Sequence, residues 1–173
     1  MADLKQDITR HHREAFGWAL ACCRWDRSMA EDVLQSAYLQ LLDGRARFAG
    51  QSEFRTFLFA VIRRTASKER RRRAIRAVLS LSALKSEPAS EGVAPTGLDS
   101  ITRAETSRQL GTALARLSAR QREVLHLVFY QDLTIAATAE VLGISVGSAR
   151  VHYERGKAQL RRLLGGGNNG VER

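Results

Sequence analysis

Apolar positions recur with helical spacing in two blocks, separated by a stretch where the period fades. In the first block Leu4, Ile8, Ala15, Ala19 and Cys22 share one face, which predicts a helix over about residues 4–24. Ser28 and Glu31 have the spacing of a capping box, in which hydroxyl and carboxylate each satisfy a free backbone N–H, so a second helix is predicted to start there. Val33, Leu34, Ala37, Tyr38, Leu41 and Leu42 form its stripe, and Gly44 supplies the stop by tolerating a left-handed conformation. Residues 44–53 read as a loop. A third helix follows, with Phe54, Phe57, Leu58, Val61, Ile62, Thr65 and Ala66 on one side. Three such helices can enclose a small core around Phe16, Trp18 and Trp25.

The second block begins near Asp99. Ile101, Ala104, Leu110, Leu114 and Leu117 predict a helix. Ser118 and Gln121 form another capping box before a helix carrying Val124, Leu127 and Val128. Thr134 caps a short helix to Leu142, Gly143 breaks it, and Ser145 caps a last helix to about Leu164. The expected fold is all-α: two small helical domains, the second a four-helix unit with a helix-turn-helix. The boundaries are 1–77 and 99–165, with a flexible linker over 78–98 that holds both prolines, Pro88 and Pro95, and a disordered polar tail over 166–173.

Charge sharpens this outline. The chain of 173 residues carries a formal net charge of +10, which favours a polyanionic partner. Arg63, Arg64, Lys68, Arg70, Arg71, Arg72, Arg73 and Arg76 surround a single acid, Glu69, so one helix end nets +7. A charge run is ordinarily a solvated face. Four consecutive arginines nevertheless repel one another unless a polyanion relieves them, and a nucleic-acid contact is the preferred reading.

Other chemistries find little support. Cys22 and Cys23 are adjacent and the only cysteines, which excludes a disulfide framework, leaves no thiolate metal site and fits a reducing cytoplasm. No apolar run approaches the ~18 residues of a membrane span, and the N-terminus lacks a signal-peptide layout. His11, His12, His126 and His152 have no matching carboxylate cluster. HExxH, a phosphate-binding glycine loop and a serine elbow are absent, so neither catalysis, metal nor cofactor is implied.

The clearest motif spans Thr134 to Arg150. Ala139 is small enough for two helices to cross closely, Gly143 stands four positions on where the turn needs a positive φ, and Leu142, Ile144 and Ala149 fill the seam. The second helix can enter the major groove and present Ser145, Ser148, Arg150, Val151, His152, Arg155 and Lys157. Arg150 and Arg155 can pair bidentately with guanine or phosphate. Lys157, Arg161 and Arg162 suit phosphates.

Most of the chain resembles the sigma-70 family of bacterial RNA polymerase sigma factors, in its extracytoplasmic-function (ECF) group. Ala30 through Leu39, AEDVLQSAYL, resembles the polymerase-binding helix of sigma region two. Phe54 through Arg64, FRTFLFAVIRR, is similar to the next helix, used at the minus-ten element. Leu117 through Leu125, LSARQREVL, with the helix-turn-helix resembles region four, which reads the minus-thirty-five element. The resemblance implies that Glu31, Asp32, Gln35 and Ser36 face core RNA polymerase. It implies that Phe48, Arg63, Arg64, Lys68, Arg70 and Arg71 serve the minus-ten region, with the Phe48–Glu53 loop near a flipped base. Three positions depart from the family pattern: Arg64 stands where asparagine is usual, Phe57 where tryptophan is usual, and Ser36 where glutamate is frequent. The partners implied are core polymerase and promoter DNA, and the blocks offer apolar surfaces that an anti-sigma factor could cover. A LuxR-type regulator, which carries a similar four-helix DNA-binding module, is the alternative. It would need a sensing or receiver domain, which residues 1–76 do not resemble.

Overall fold

The computed structural model describes residues 2–80 and 100–165. The predicted linker, apart from residues 78–80, and the predicted tail lie outside the described residues. Among the described residues every regular element is helical. α1 (Ala2–Arg10) and α2 (His12–Cys22) replace the single helix expected over 4–24, because the backbone breaks at His11 (φ −97°, ψ 6°). α3 (Arg27–Leu42) begins one residue before Ser28. Its cap is Asp26, whose carboxylate accepts from the Met29 N–H at 2.9 Å, so the expected Ser28–Glu31 box is not the one used. Arg24 and Trp25 precede it with φ of 56° and 67°, turning the chain sharply. That turn puts Trp25 in solvent, 63% exposed, instead of in the predicted core. α3 ends before Gly44, which takes φ +73° as expected.

α4 (Phe54–Ser80) is one continuous helix that carries the basic run and continues through residues 78–80. α2, α3 and α4 pack on one another around Trp18, Leu58, Phe59 and Ile62, all fully buried. The Trp18 indole N–H donates to the Phe59 carbonyl at 3.0 Å. Cys22 and Cys23 are buried in the same core as free thiols. Burial holds both thiols above the ordinary range, Cys23 at about 11, so neither is a ready nucleophile.

α5 (Ser100–Ala115) leads to α6 (Ala119–Leu125), where Ser118 and Gln121 form the predicted reciprocal capping box. The helix then widens into a π-helical turn over His126–Tyr130, which periodicity had read as plain α-helix. α7 (Ile135–Leu142) is capped by Thr134, and α8 (Val146–Gly165) closes the chain. Gly156 on α8 lies against α6: a Cβ there would sit 3.0 Å from the Leu125 side chain. The second block does not stand apart. Val124, Leu127, Leu133, Val141 and Leu142 belong to the same buried apolar cluster as Trp18 and Phe59, and α4 packs against α7.

Candidate nucleic-acid interface

The helix-turn-helix forms from the residues that predicted it. Gly143 takes the left-handed conformation (φ 60°, ψ 42°), where an L side chain would be strained. Ala139 and Ala149 are buried in the crossing of α7 and α8. The Ser145 hydroxyl accepts from the Ser148 N–H at 3.1 Å and donates to the Ser148 hydroxyl at 2.9 Å. Ser145 is therefore first a cap for α8, and both hydroxyls lie at its exposed N-terminus. Arg150, Val151 and Arg155 are exposed, as groove reading requires. His152 and Lys157 are half-buried. The Lys157 ammonium lies 4.7 Å from the Tyr153 ring centroid and 3.5 Å from Glu154, so it braces α8 instead of projecting freely.

The basic run divides by what each guanidinium touches. Arg70 donates to the Cys22 carbonyl and to the Ser67 hydroxyl, satisfying the C-terminal end of α2. Arg73 lies against Asp26 (3.2 Å), Glu69 (3.5 Å) and Asp32 (3.7 Å). Arg63 turns inward to Glu123. Arg64, Lys68, Arg71 and Arg72 remain exposed, and their i, i+4, i+7, i+8 spacing aligns them along one face of α4. The structure thus brings Arg64, Lys68 and Arg71 together, adds Arg72, and directs Arg63 and Arg70 to other partners.

Phe48 is 40% exposed and rests on Phe54 and Phe57, with ring centroids 5.5 and 5.3 Å apart. The trio offers an aromatic surface of the kind on which an unstacked base can rest. On α3, Glu31, Asp32, Gln35 and Ser36 are all exposed on one face. Leu39 extends that face and is 51% exposed. Its place outside the apolar stripe, four residues after Gln35, marks it for that face. Leu42, expected in the core stripe, is also 39% exposed. Arg122 has a role that charge alone did not signal. Its guanidinium donates to the Leu114, Ala115 and Leu117 carbonyls (2.8–3.4 Å), closing the end of α5.

Among the described residues no group of three or more His, Cys, Asp or Glu side chains is placed to hold a metal ion. Among them, too, no helix is long and apolar enough to cross a membrane.

This arrangement of a three-helix unit and a helix-turn-helix unit matches known proteins along nearly its whole length. Residues 8–75 match the family described as Sigma-70 region 2, and residues 107–160 match Sigma-70, region 4. The ECF RNA polymerase sigma factor SigM of Mycobacterium tuberculosis is 32% identical over 168 residues, covering 96% of this chain and 79% of SigM. RNA polymerase sigma factor YlaC of Bacillus subtilis is 27% identical, over 78% of this chain and 77% of its own. The fold is shared with the sigma factor RpoE of Bartonella quintana, solved in complex with the anti-sigma factor NepR. The TM-score is 0.75 at 21% identity, covering 95% of this chain and 98% of that one. The chain belongs to the ECF sigma factors of the sigma-70 family, proteins that direct RNA polymerase to promoters. The LuxR-type alternative is not favoured, because the first block is itself a sigma region.

Proposed function

We propose that this chain recruits core RNA polymerase to promoters through three separate faces. The carrying observation is the sorting of its cations: one exposed row on α4 (Arg64, Lys68, Arg71, Arg72) and one exposed edge on α8 (Arg150, Arg155), while neighbouring cations are held in structural contacts. Residues 1–77 act as the polymerase and minus-ten unit. Glu31, Asp32, Gln35, Ser36 and Leu39 meet polymerase, the α4 row follows the phosphate backbone of the opening strand, and the Phe48 cluster meets the unpaired base. Residues 99–165 act as the minus-thirty-five unit. Ser148, Arg150, Val151 and Arg155 reach base edges in the major groove, and Ser145 and His152 flank them. Tethering two weak DNA contacts in one chain raises the effective concentration of each for the other.

The chain is a recognition factor and not an enzyme: phosphodiester synthesis belongs to the polymerase. It works in the cytoplasm, where core polymerase and DNA are. An anti-sigma factor is a further partner, supported by the fold shared with the NepR-bound sigma factor. The test is in vitro transcription from genomic promoter fragments with purified core polymerase. Initiation at discrete sites only when the chain is added is the expected result. Initiation unaffected by the chain overturns the reading.

A further inference from the structure

The turn between α2 and α3 carries a large apolar side chain that the turn itself does not need. Arg24 and Trp25 both take left-handed backbone angles, φ 56° and 67°, which disfavour L side chains and suit glycine. The backbone there is firmly held. The Trp25 N–H donates to the Leu20 carbonyl at 2.9 Å and the Asp26 N–H to the Cys23 carbonyl at 3.2 Å, while the Asp26 carboxylate caps α3. A glycine at position 25 could make the same backbone bonds without strain. The indole is 63% exposed, so burial returns little for keeping it. Strained residues that the surrounding structure holds in place concentrate at functional sites.

Its neighbours say which surface Trp25 belongs to. Arg73 lies 3.2 Å from Asp26 and 3.7 Å from Asp32, so one guanidinium ties the residue beside Trp25 to the exposed side of α3. Along that side Ser28, Asp32, Gln35 and Leu39 follow at i, i+4, i+7 and i+11, all exposed. Trp25 stands just before the first turn of this stripe, and exposed Leu39 stands near its other end. The cation row of α4 faces elsewhere. At about 100° per residue, Arg64, Lys68 and Arg71 lie roughly 140–200° around α4 from Arg73. DNA following that row passes on the far side of α4 from Trp25.

On the reading of α3 as the polymerase-binding face, we infer that Trp25 is an anchor for core RNA polymerase, held outward by its left-handed turn and seated on a cationic surface of the polymerase. Two features favour a cationic surface. Glu31 and Asp32 give the face negative charge, and an indole accepts a lysine or arginine over its ring. A ring fixed in advance by its backbone loses little freedom on binding, and tryptophan is among the residues that most often dominate an interface.

The test measures binding of the full chain to immobilised core polymerase, for wild type, Trp25→Gly and Trp25→Tyr, with thermal melts and promoter-duplex binding on the same proteins. Trp25→Gly removes both ring and strain. It should weaken polymerase binding by roughly tenfold or more while keeping or raising the melting temperature. Trp25→Tyr, which keeps an aromatic face, should retain most of the affinity. Duplex binding without polymerase should be the same for all three. Polymerase affinity of Trp25→Gly equal to wild type overturns the anchor. A lower melting temperature for Trp25→Gly overturns it too, since the ring would then serve the fold. Loss confined to duplex binding overturns it by assigning the ring to nucleic acid. If wild type binds polymerase and these predictions fail, only the anchor is lost; if wild type does not bind, the polymerase reading itself is lost.

Discussion

The Trp18 indole N–H donates to the Phe59 backbone carbonyl at 3.0 Å, which ties α2 to α4 in the centre of the core. Both side chains are fully buried and their ring centroids lie 6.2 Å apart. Trp18→Phe keeps an aromatic ring but removes the donor and leaves a void. The expected cost is about 2–3 kcal/mol, combining a lost hydrogen bond with incomplete repacking. Urea titration followed by far-ultraviolet circular dichroism measures it.

Thr138 offers the opposite sign. Its hydroxyl is fully buried in α7, and among the described residues no hydrogen-bond partner reaches it. Valine has nearly the same shape without the polar group. Thr138→Val is expected to raise stability by about 1 kcal/mol, read as a higher denaturant midpoint at unchanged slope.

The arginine run should separate into two kinds of variant. Arg71→Ala and Arg72→Ala remove exposed cations from the α4 row, so each should lower the salt dependence of promoter binding by about one phosphate contact and leave thermal stability nearly unchanged. Arg70→Ala leaves the Cys22 carbonyl without its partner, so its main effect should be a lower melting temperature. Salt-titrated binding and thermal melts on the same proteins distinguish them.

Arg150 is exposed early on α8, the position proposed to read base edges. Arg150→Ala is expected to relax preference at one or two base pairs of the upstream element, at about 1–3 kcal/mol for a bidentate contact. Selection of bound sequences from a randomised promoter library reads this out. Altered affinity with an unaltered sequence profile would assign Arg150 to phosphate.

His126 makes the chain acid-sensitive. Burial lowers its pKa from 6.5 to about 4, so the folded protein keeps the ring neutral while the unfolded chain takes up a proton as pH falls below about 6.5. Stability is therefore highest above that pH and declines between about 6.5 and 4, by roughly 3 kcal/mol across the window. His126→Phe should flatten this part of the stability–pH curve, measured by denaturant titration at several pH values.

Local signals were legible wherever one short segment determines its own geometry. The Ser118–Gln121 box, the Thr134 cap and the left-handed Gly143 all formed as their residue types and spacing predict. The failures arise from an unsignalled local turn and from contacts between distant segments. Trp25 reads as core by hydrophobicity, yet two left-handed residues turn it outward. Asp26 displaced Ser28 as a cap because that same turn set where α3 starts. Within the arginine run, sequence measures charge but not partners, so Arg63 and Arg70 looked equivalent to Arg64 and Arg71. Only the fold brings Glu123 to one and the α2 terminus to the other. Gly156 had no local reason to be glycine until α6 crossed beside it.

The π-helical turn over His126–Tyr130 sets a phase. The Gln131 N–H reaches back five residues to the His126 carbonyl, so the chain holds one residue more than an α-helical turn would. Removing one residue there would rotate everything before the turn by about 100° relative to everything after it. His126 and Leu127, which face the first block, would then fall out of register with the helix-turn-helix that follows. Substitutions along this stretch are a matter of packing, whereas its length is a matter of alignment: a single deletion would disconnect DNA reading from the first block without altering one residue that touches DNA.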